Sequence, residues 1–556
     1  MRTTISKAAA LFGAALGLTV AVAAAPPDGF RMGRSMEILV NMVRDINLFY
    51  VDEVDTDRLL NDAAAGMTSG LDPYTEYISE EDMAAFQVMT SGRYAGVGSL
   101  IRKSGDYVVF AEPYKNSPAD RAGIVVGDRI VEIDGEDARG MTTEQISAKL
   151  RGEAGTKVKL KVGKFYGGDI VPLEIRREVI SIPGIPYYGM LNDSIGYILN
   201  IDFTEDVNSD MRTAVMSLRD RGARALVLDY RNNGGGIVQE AVKILSFFVP
   251  RGTEVVSMRG RNLGEAVNFV TQSEPIAPDM PLVVLVNNAT ASSAEIVAGA
   301  LQDLDQAVVV GRRSFGKGLV QTTRPMGYNS YLKITTAKYY LPSGRCIQAI
   351  DYARRAEDGT ISHIPDSLIH EYRTAAGRRV YDGGGIMPDV RTEAAYVSRF
   401  AYLVYGKGYV FDFVDRYLRE RPDLQLDPAT FALSDSDYEE FAAFMADKDV
   451  EWESETKRAL AQLKASAEAE RYDEAIAASL ETIEASLHDD VATGLQMYRQ
   501  ELTDLIESEI VLRKAYSAGV TEHALRNDTD VHEAVRILED PALYDEIVTH
   551  RDTERK

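Results

Sequence analysis

The sequence predicts a multidomain α/β protein, with a parallel sheet at its centre, a small β-rich module before it and helices at both ends. Two observations carry this reading. Four runs, GYILNI (196–201), ALVLDY (225–230), PLVVLV (281–286) and AVVVG (307–311), are apolar throughout, and amphipathic stretches such as DVNSDMRTAVMSLRDRG (206–222) lie between them. A strand apolar on both faces is covered on both faces, and strand–helix alternation sets such strands parallel. The 556 residues allow about two to four domains. A hydrophobic content of 45% is enough for large cores.

Residues 1–25 read as a signal peptide. Arg2 and Lys7 make a positive start, AAALFGAALGLTVAVAAA (8–25) is apolar and small, and Ala21-Val22-Ala23 offers a cleavage site. A membrane anchor is the rival reading. Either way the rest of the chain is exported, to the periplasm or another extracytoplasmic space.

Residues 26–90 form a helical segment, with MEILVNMVRDINLFY (36–50) at helical spacing and SGLDPYTEYIS (69–79) as a turn. Residues 91–177 form the β-rich module, where VGSLIR, YVVFAE, RIVEIDG, KVKLKV and IVPLEI are strand-like. A short helix, TTEQISAKLRG (142–152), has a threonine cap. Residues 178–395 hold the parallel core. Residues 396–556 are a helical extension, in which 457–487 is rich in Ala and Glu and reads as surface helices.

A net charge of −24 excludes a general binder of nucleic-acid backbones, which needs a basic face. The lone cysteine, Cys346, forms no intramolecular disulfide. Six histidines are present, none before residue 350. They complete no zinc motif. GRRSFGKG (311–318) nearly spells a phosphate loop, but Gly318 stands where a Ser or Thr would hold magnesium, and a β-like stretch follows where a helix is required. Ser454 and Lys457 have the S-x-x-K spacing but lie on a solvated helix face without its companion motifs. Lys317, in a glycine-flanked turn, reads as a surface lysine unless a serine partners it, in which case it has another use. An amine shielded from water loses proton affinity and can act as a base towards a serine.

TASSAEIVAGALQD (290–303) followed by SFGKGLVQ (314–321) resembles the carboxy-terminal processing peptidases, or tail-specific proteases. LVLDYRNNGGG (226–236), KYYLPSGRCIQ (338–348), GGGIMPDV (383–390) and LLNDAAAGMTSGLDPYTEY (59–77) extend the resemblance across about residues 35–395. It implies a crotonase-like α/β core with an inserted PDZ domain at 91–177, and a Ser-Lys endopeptidase that uses no metal and no organic cofactor.

In the family register Glu295 makes Ser292 the nucleophile, Lys317 the base and Gln321 the group that orients the amine, with Glu295 and Asp303 in support. Ser293 stands beside the nucleophile where the family has alanine. The start of the helix at Ser292 favours developing negative charge. The amide of Ser293, with Gly234 or Gly235, can make the oxyanion hole.

The resemblance gives Gly96, Val97 and Gly98 to a carboxylate-binding loop, while Val97, Leu100, Ile146 and Leu150 line a groove or simply fill the module's core. The partners implied are protein or peptide carboxy-terminal tails, a second copy in a homodimer built by the amino-terminal helices, and an adaptor on the carboxy-terminal helices, with no nucleic acid. A non-catalytic PDZ adaptor on a dead protease core is the alternative, and a nucleotide binder is the third reading.

Overall fold

The computed structural model describes residues 28–355, 361–394 and 396–549. The expected signal peptide, residues 1–25, lies outside the described residues.

The centre is a six-stranded sheet. Its strands, in order across the sheet, are Tyr187–Met190, Ile195–Leu199, Ala225–Asp229, Leu282–Val286, Ala307–Gly311 and Val390–Arg391. The first pair is antiparallel and all later pairs are parallel. The four apolar runs supply the four inner strands. Their side chains alternate between two separate cores. Leu226, Leu228, Val284, Val286 and Val309 face helices Val207–Asp220, Val238–Leu245 and Ser293–Asp303. Ala225, Val227, Val283, Leu285, Val308 and Val310 face Val531, Ala534, Ile537 and Val548.

Part of the helical stretch 396–556 makes this second face. The helices Thr529–Glu539 and Pro541–Thr549 return to the sheet and cover it. The sequence concealed this because an amphipathic helix does not say which face it will meet.

A second, antiparallel sheet lies beside the first. The hairpin Leu319–Gly327 and Ser330–Tyr340 dominates it, and Glu254–Arg259 and Glu76–Ile78 pair with its longer strand. Part of the stretch expected as a turn, EYI, is therefore a strand.

The β-rich module is antiparallel, ordered Ser99–Ser104, Tyr107–Pro113, Arg129–Ile133, Lys157–Gly163 and Ile170–Arg176. Its helix, Thr143–Leu150, starts in a capping box between Thr142 and Gln145. The strands Arg93–Gly96 and Glu178–Ser181 pair at the module's two ends, so it is inserted through one double-stranded neck.

Between Arg399 and Ala524 the helices other than Glu455–Glu470 and Asp473–Ala485 share a core around Phe400, Phe413, Phe441, Leu502 and Ile506. They also grip the module. Phe165 sits in that helical core, Arg102 stacks on Phe411 at 3.3 Å, and Glu112 accepts the Ser517 amide at 2.9 Å.

The returning helices make a testable demand. Ile537 is fully buried while Ile483, on the surface helix Asp473–Ala485, is 43% exposed. Ile537→Ala is expected to cost about 2–5 kcal/mol in denaturant unfolding. Ile483→Ala is expected to stay within about 0.5 kcal/mol of the parent.

Candidate active site

Strand Leu282–Val286 hands over to helix Ser293–Asp303 through a tight loop, and Ser292 is the last residue before the helix. Its backbone is at φ 56° and ψ −118°. A side chain is seldom tolerated there, so the surroundings must hold it. They do so at several points. The Ser292 amide donates to Glu295 Oε2 at 2.8 Å and its carbonyl accepts the Ile296 amide at 2.9 Å. Just before it, the Ala291 amide donates to the Asn233 carbonyl and the Thr290 hydroxyl to the Tyr230 carbonyl. Burial raises the pKa of the Tyr339 phenol, which also meets the Ser292 hydroxyl.

Ser293, the neighbour that the sequence left unexplained, has a separate task. It is fully buried, and its hydroxyl donates to the Gly236 carbonyl at 2.8 Å. It pins the glycine turn to the start of the helix. The amides of Ser293 and Gly234 find no acceptor among the described residues. Gly235 departs from expectation, because its amide donates to Asn233 Oδ1 at 2.8 Å and is not free for an oxyanion. Its role is spatial. At φ +95° an added Cβ would come 2.6 Å from Ser292 Cβ and 2.8 Å from the Ser293 nitrogen.

Glu295 joins the two halves of the site. Its side chain has no access to solvent and accepts four bonds. Oε1 takes the Ser314 hydroxyl and the Gly316 amide, and Oε2 takes the amides of Lys317 and Ser292. Burial raises its pKa, and these four donors oppose the rise. The loop 312–318 is thus fastened to the serine helix. Other loop amides are also spent, Phe315 on Thr290, Ser314 on Ile386 and Gly318 on Gln348. With these amides taken and a strand following, the loop has no cradle for a phosphate.

Lys317 is largely buried, and this lowers its pKa below the ordinary lysine value. Nearby Lys333 lowers it further, while Glu295, Asp72 and Glu76 act in the opposite sense. The amine lies 4.2 Å from the centre of the Tyr74 ring. No hydrogen bond joins it to Ser292 among the described residues. Gln321 is likewise not on the amine. Its Nε2 donates to the Thr335 hydroxyl at 3.1 Å, which donates to Asp72 Oδ1 at 3.0 Å. Asp72 Oδ1 also accepts the Tyr74 amide at 3.0 Å. The LDPYTEY turn therefore meets both Lys317 and Gln321, and this the sequence reading missed. The one available signal was its place among the family motifs.

Asp303 lies at the far end of the serine helix, away from the hydroxyl. It pairs with Arg345 at 2.7 Å, both side chains without solvent access, and its Oδ2 accepts the Ser343 amide. Its support is to the fold. Among the described residues no histidine is bonded to Ser292. Ser454 caps the helix Glu455–Glu470, accepting the Lys457 amide at 3.2 Å.

In the module, Ser99–Ser104 is the end strand of its sheet, and helix Thr143–Leu150 lies against it. The amides of Val97 and Gly98 find no acceptor among the described residues, and Gly96 ends the preceding strand. Val97, Ile146 and Leu150 are buried in the module's core, whereas Leu100 is exposed.

The "Peptidase family S41" pattern matches residues 194–354, "PDZ domain" matches 109–163, and "Probable PDZ-protease, C-terminal helical domain" matches 400–538. A carboxy-terminal-processing protease of Bartonella bacilliformis is 35% identical over 305 residues, 54% of this chain and 70% of that protein. A probable CtpA-like serine protease of Staphylococcus aureus is 35% identical over 308 residues, 55% of this chain and 61% of that protein. Among solved structures, the photosystem II D1 C-terminal processing protease shares 26% identity at a TM-score of 0.35, covering 64% of this chain and 92% of that one.

The buried carboxylate can be tested directly. Glu295→Gln places amide hydrogens against amide hydrogens. It is expected to lower unfolding stability by about 2–4 kcal/mol, measured by denaturant titration.

Proposed function

The chain belongs to the carboxy-terminal processing proteases of peptidase family S41, and we propose that it is an exported endopeptidase in which Ser292 and Lys317 do the chemistry. It is a serine-type peptidase that acts on the carboxy-terminal tails of proteins. The observation that carries the residue assignment is the Glu295 side chain, which accepts the amides of Ser292 and Lys317 on one oxygen.

In the proposed reaction Ser292 Oγ attacks the peptide carbonyl while the neutral Lys317 amine takes its proton. The carbonyl oxygen becomes an oxyanion, and the free amides of Ser293 and Gly234 receive it at the positive end of the helix. The amine protonates the leaving nitrogen, and water then releases the acyl group. Side chains and water suffice. The form with Lys317 on the Tyr74 ring is a resting one. The face of an aromatic ring favours the charged amine over the neutral base, so the amine must leave Tyr74 to act.

The PDZ domain would hold the substrate's end. An extended tail adds to the open edge of Ser99–Ser104, and its carboxylate meets the amides of Val97 and Gly98. The parallel sheet with the serine helix at its strand ends supports reading the core as crotonase-like. The leader supports export to an extracytoplasmic space. The helix Asp28–Phe49 exposes Phe30, Met36, Val40 and Phe49, which supports its use in a homodimer. The exposed helices around residues 455–485 are the remaining place for an adaptor.

Three measurements bear on this reading. Ser292→Ala and Lys317→Ala are expected to abolish peptide cleavage in folded protein, and full activity in both would overturn the mechanism. The base works when neutral, so kcat/KM should rise with pH through the Lys317 pKa, below about 10.4. Lys333→Gln removes a neighbouring positive charge and should move that limb to higher pH. Amidating the carboxy terminus of a tail peptide should weaken its binding about tenfold or more, read by fluorescence anisotropy.

A further inference from the structure

The carboxy-terminal helix Thr529–Glu539 does more than cover the sheet. Its amino end carries two carboxylates into a cluster of charges behind the site. Asp530 Oδ2 accepts Arg231 Nη1 at 2.9 Å and Arg312 Nη2 at 3.0 Å. Asp528 accepts Arg231 at 3.0 and 2.7 Å, and the same Asp528 caps the helix by taking the amides of Asp530 and Val531. The sheet adds Asp229, which holds Arg231 at 2.6 Å and also accepts the Tyr197 hydroxyl at 2.7 Å. The side chains of Asp229 and Asp530 are each 2% exposed. A buried carboxylate of this kind persists only with its partners in place.

The two arginines belong to different catalytic loops. Arg231 directly precedes the turn Asn232–Gly236, which supplies the Gly234 amide and receives the Ser293 hydroxyl. Asn232 is bonded to Asn287 in both directions, at 3.0 and 2.9 Å, so this turn is continuous with the loop before Ser292. Arg312 opens the loop 312–318 that carries Lys317. Its other acceptors are the Thr392 hydroxyl and the Glu393 carbonyl. Among the described residues Asp530 is its one carboxylate partner. One side chain of the distant helix therefore bridges the loop of the oxyanion donor and the loop of the base.

We propose that Asp530, with Asp528, is a positioning residue, by which the carboxy-terminal helix sets the spacing between the oxyanion turn and the base loop. This rests on the Ser292–Lys317 reading above. Glu295 ties the base loop to the serine helix, the Ser293 hydroxyl ties the oxyanion turn to the same helix, and Asp530 joins the two loops from behind. Removing the second tie leaves the charged Arg312 unpaired and lets the base loop shift. Small displacements of catalytic groups cost rate more than substrate affinity.

The test uses the full chain and the variants D530N, R312Q and the double variant. Cleavage of a tail peptide gives kcat and KM, the burst from a p-nitrophenyl ester gives the acylation rate of Ser292, and circular dichroism gives the folded fraction. Per folded molecule, D530N and R312Q should each lower kcat and the acylation rate about tenfold or more, with KM within about twofold. The double variant should be no slower than the slower single, because both break one tie. Should D530N fail to fold, R312Q carries the same prediction from the core side. Parental kcat in folded D530N or R312Q would overturn the proposal, as would losses that multiply in the double variant. A parent chain that neither cleaves nor acylates would instead overturn the Ser-Lys reading.

Discussion

One carboxylate without access to water, Glu295, decides where both halves of the site go. An isolated charge in such a place is costly, and its position is stable only because hydroxyl and amide donors converge on it. Those donors come from Ser292 and from the loop 314–317. Satisfying Glu295 and assembling the site are thus one event. The same constraint explains how Ser292 is kept at a positive φ. The strained turn is clamped by the Asn233 carbonyl before it and Glu295 after it.

The sheet transmits this constraint outward. Its inner strands are apolar on both faces because both faces are covered, one by the serine helix and its neighbours, the other by helices from the end of the chain. The module and the helical unit are held to each other by Phe165, Arg102 and Glu112, so the two parts differ in kind. The module contributes an open strand edge. The helical unit fixes where that edge points.

Much of this was legible in the sequence where local physics decides. The four apolar runs announced buried strands, and the Thr142 cap announced its helix. The choice of Ser292 over Ser293 came instead from the family register of Glu295, and Ser293 has its own task on the Gly236 carbonyl. What remained hidden depends on partners far along the chain. Nothing local in LDPYTEY says that Tyr74 will lie under Lys317 or that Asp72 will reach Thr335, two hundred and more residues away. Gly235 looked like an oxyanion donor by its place in a glycine turn, but its amide direction is set by Asn233. Asp303 looked like site support by its place on the serine helix, but Arg345 was invisible as its partner until the chain closed.

The return of Thr529–Glu539 to the sheet has a consequence for timing. A chain is made from its amino terminus, so Ser292, the loop 312–318 and every strand of the sheet exist before this helix does. Until it arrives, Val227, Val283, Leu285 and Val310 have no cover, and Arg312 lacks its carboxylate. A growing chain thus carries Ser292, Lys317 and their loops before Arg231 and Arg312 meet the carboxylates of this helix. The order of synthesis therefore puts the closing of the sheet's second face last.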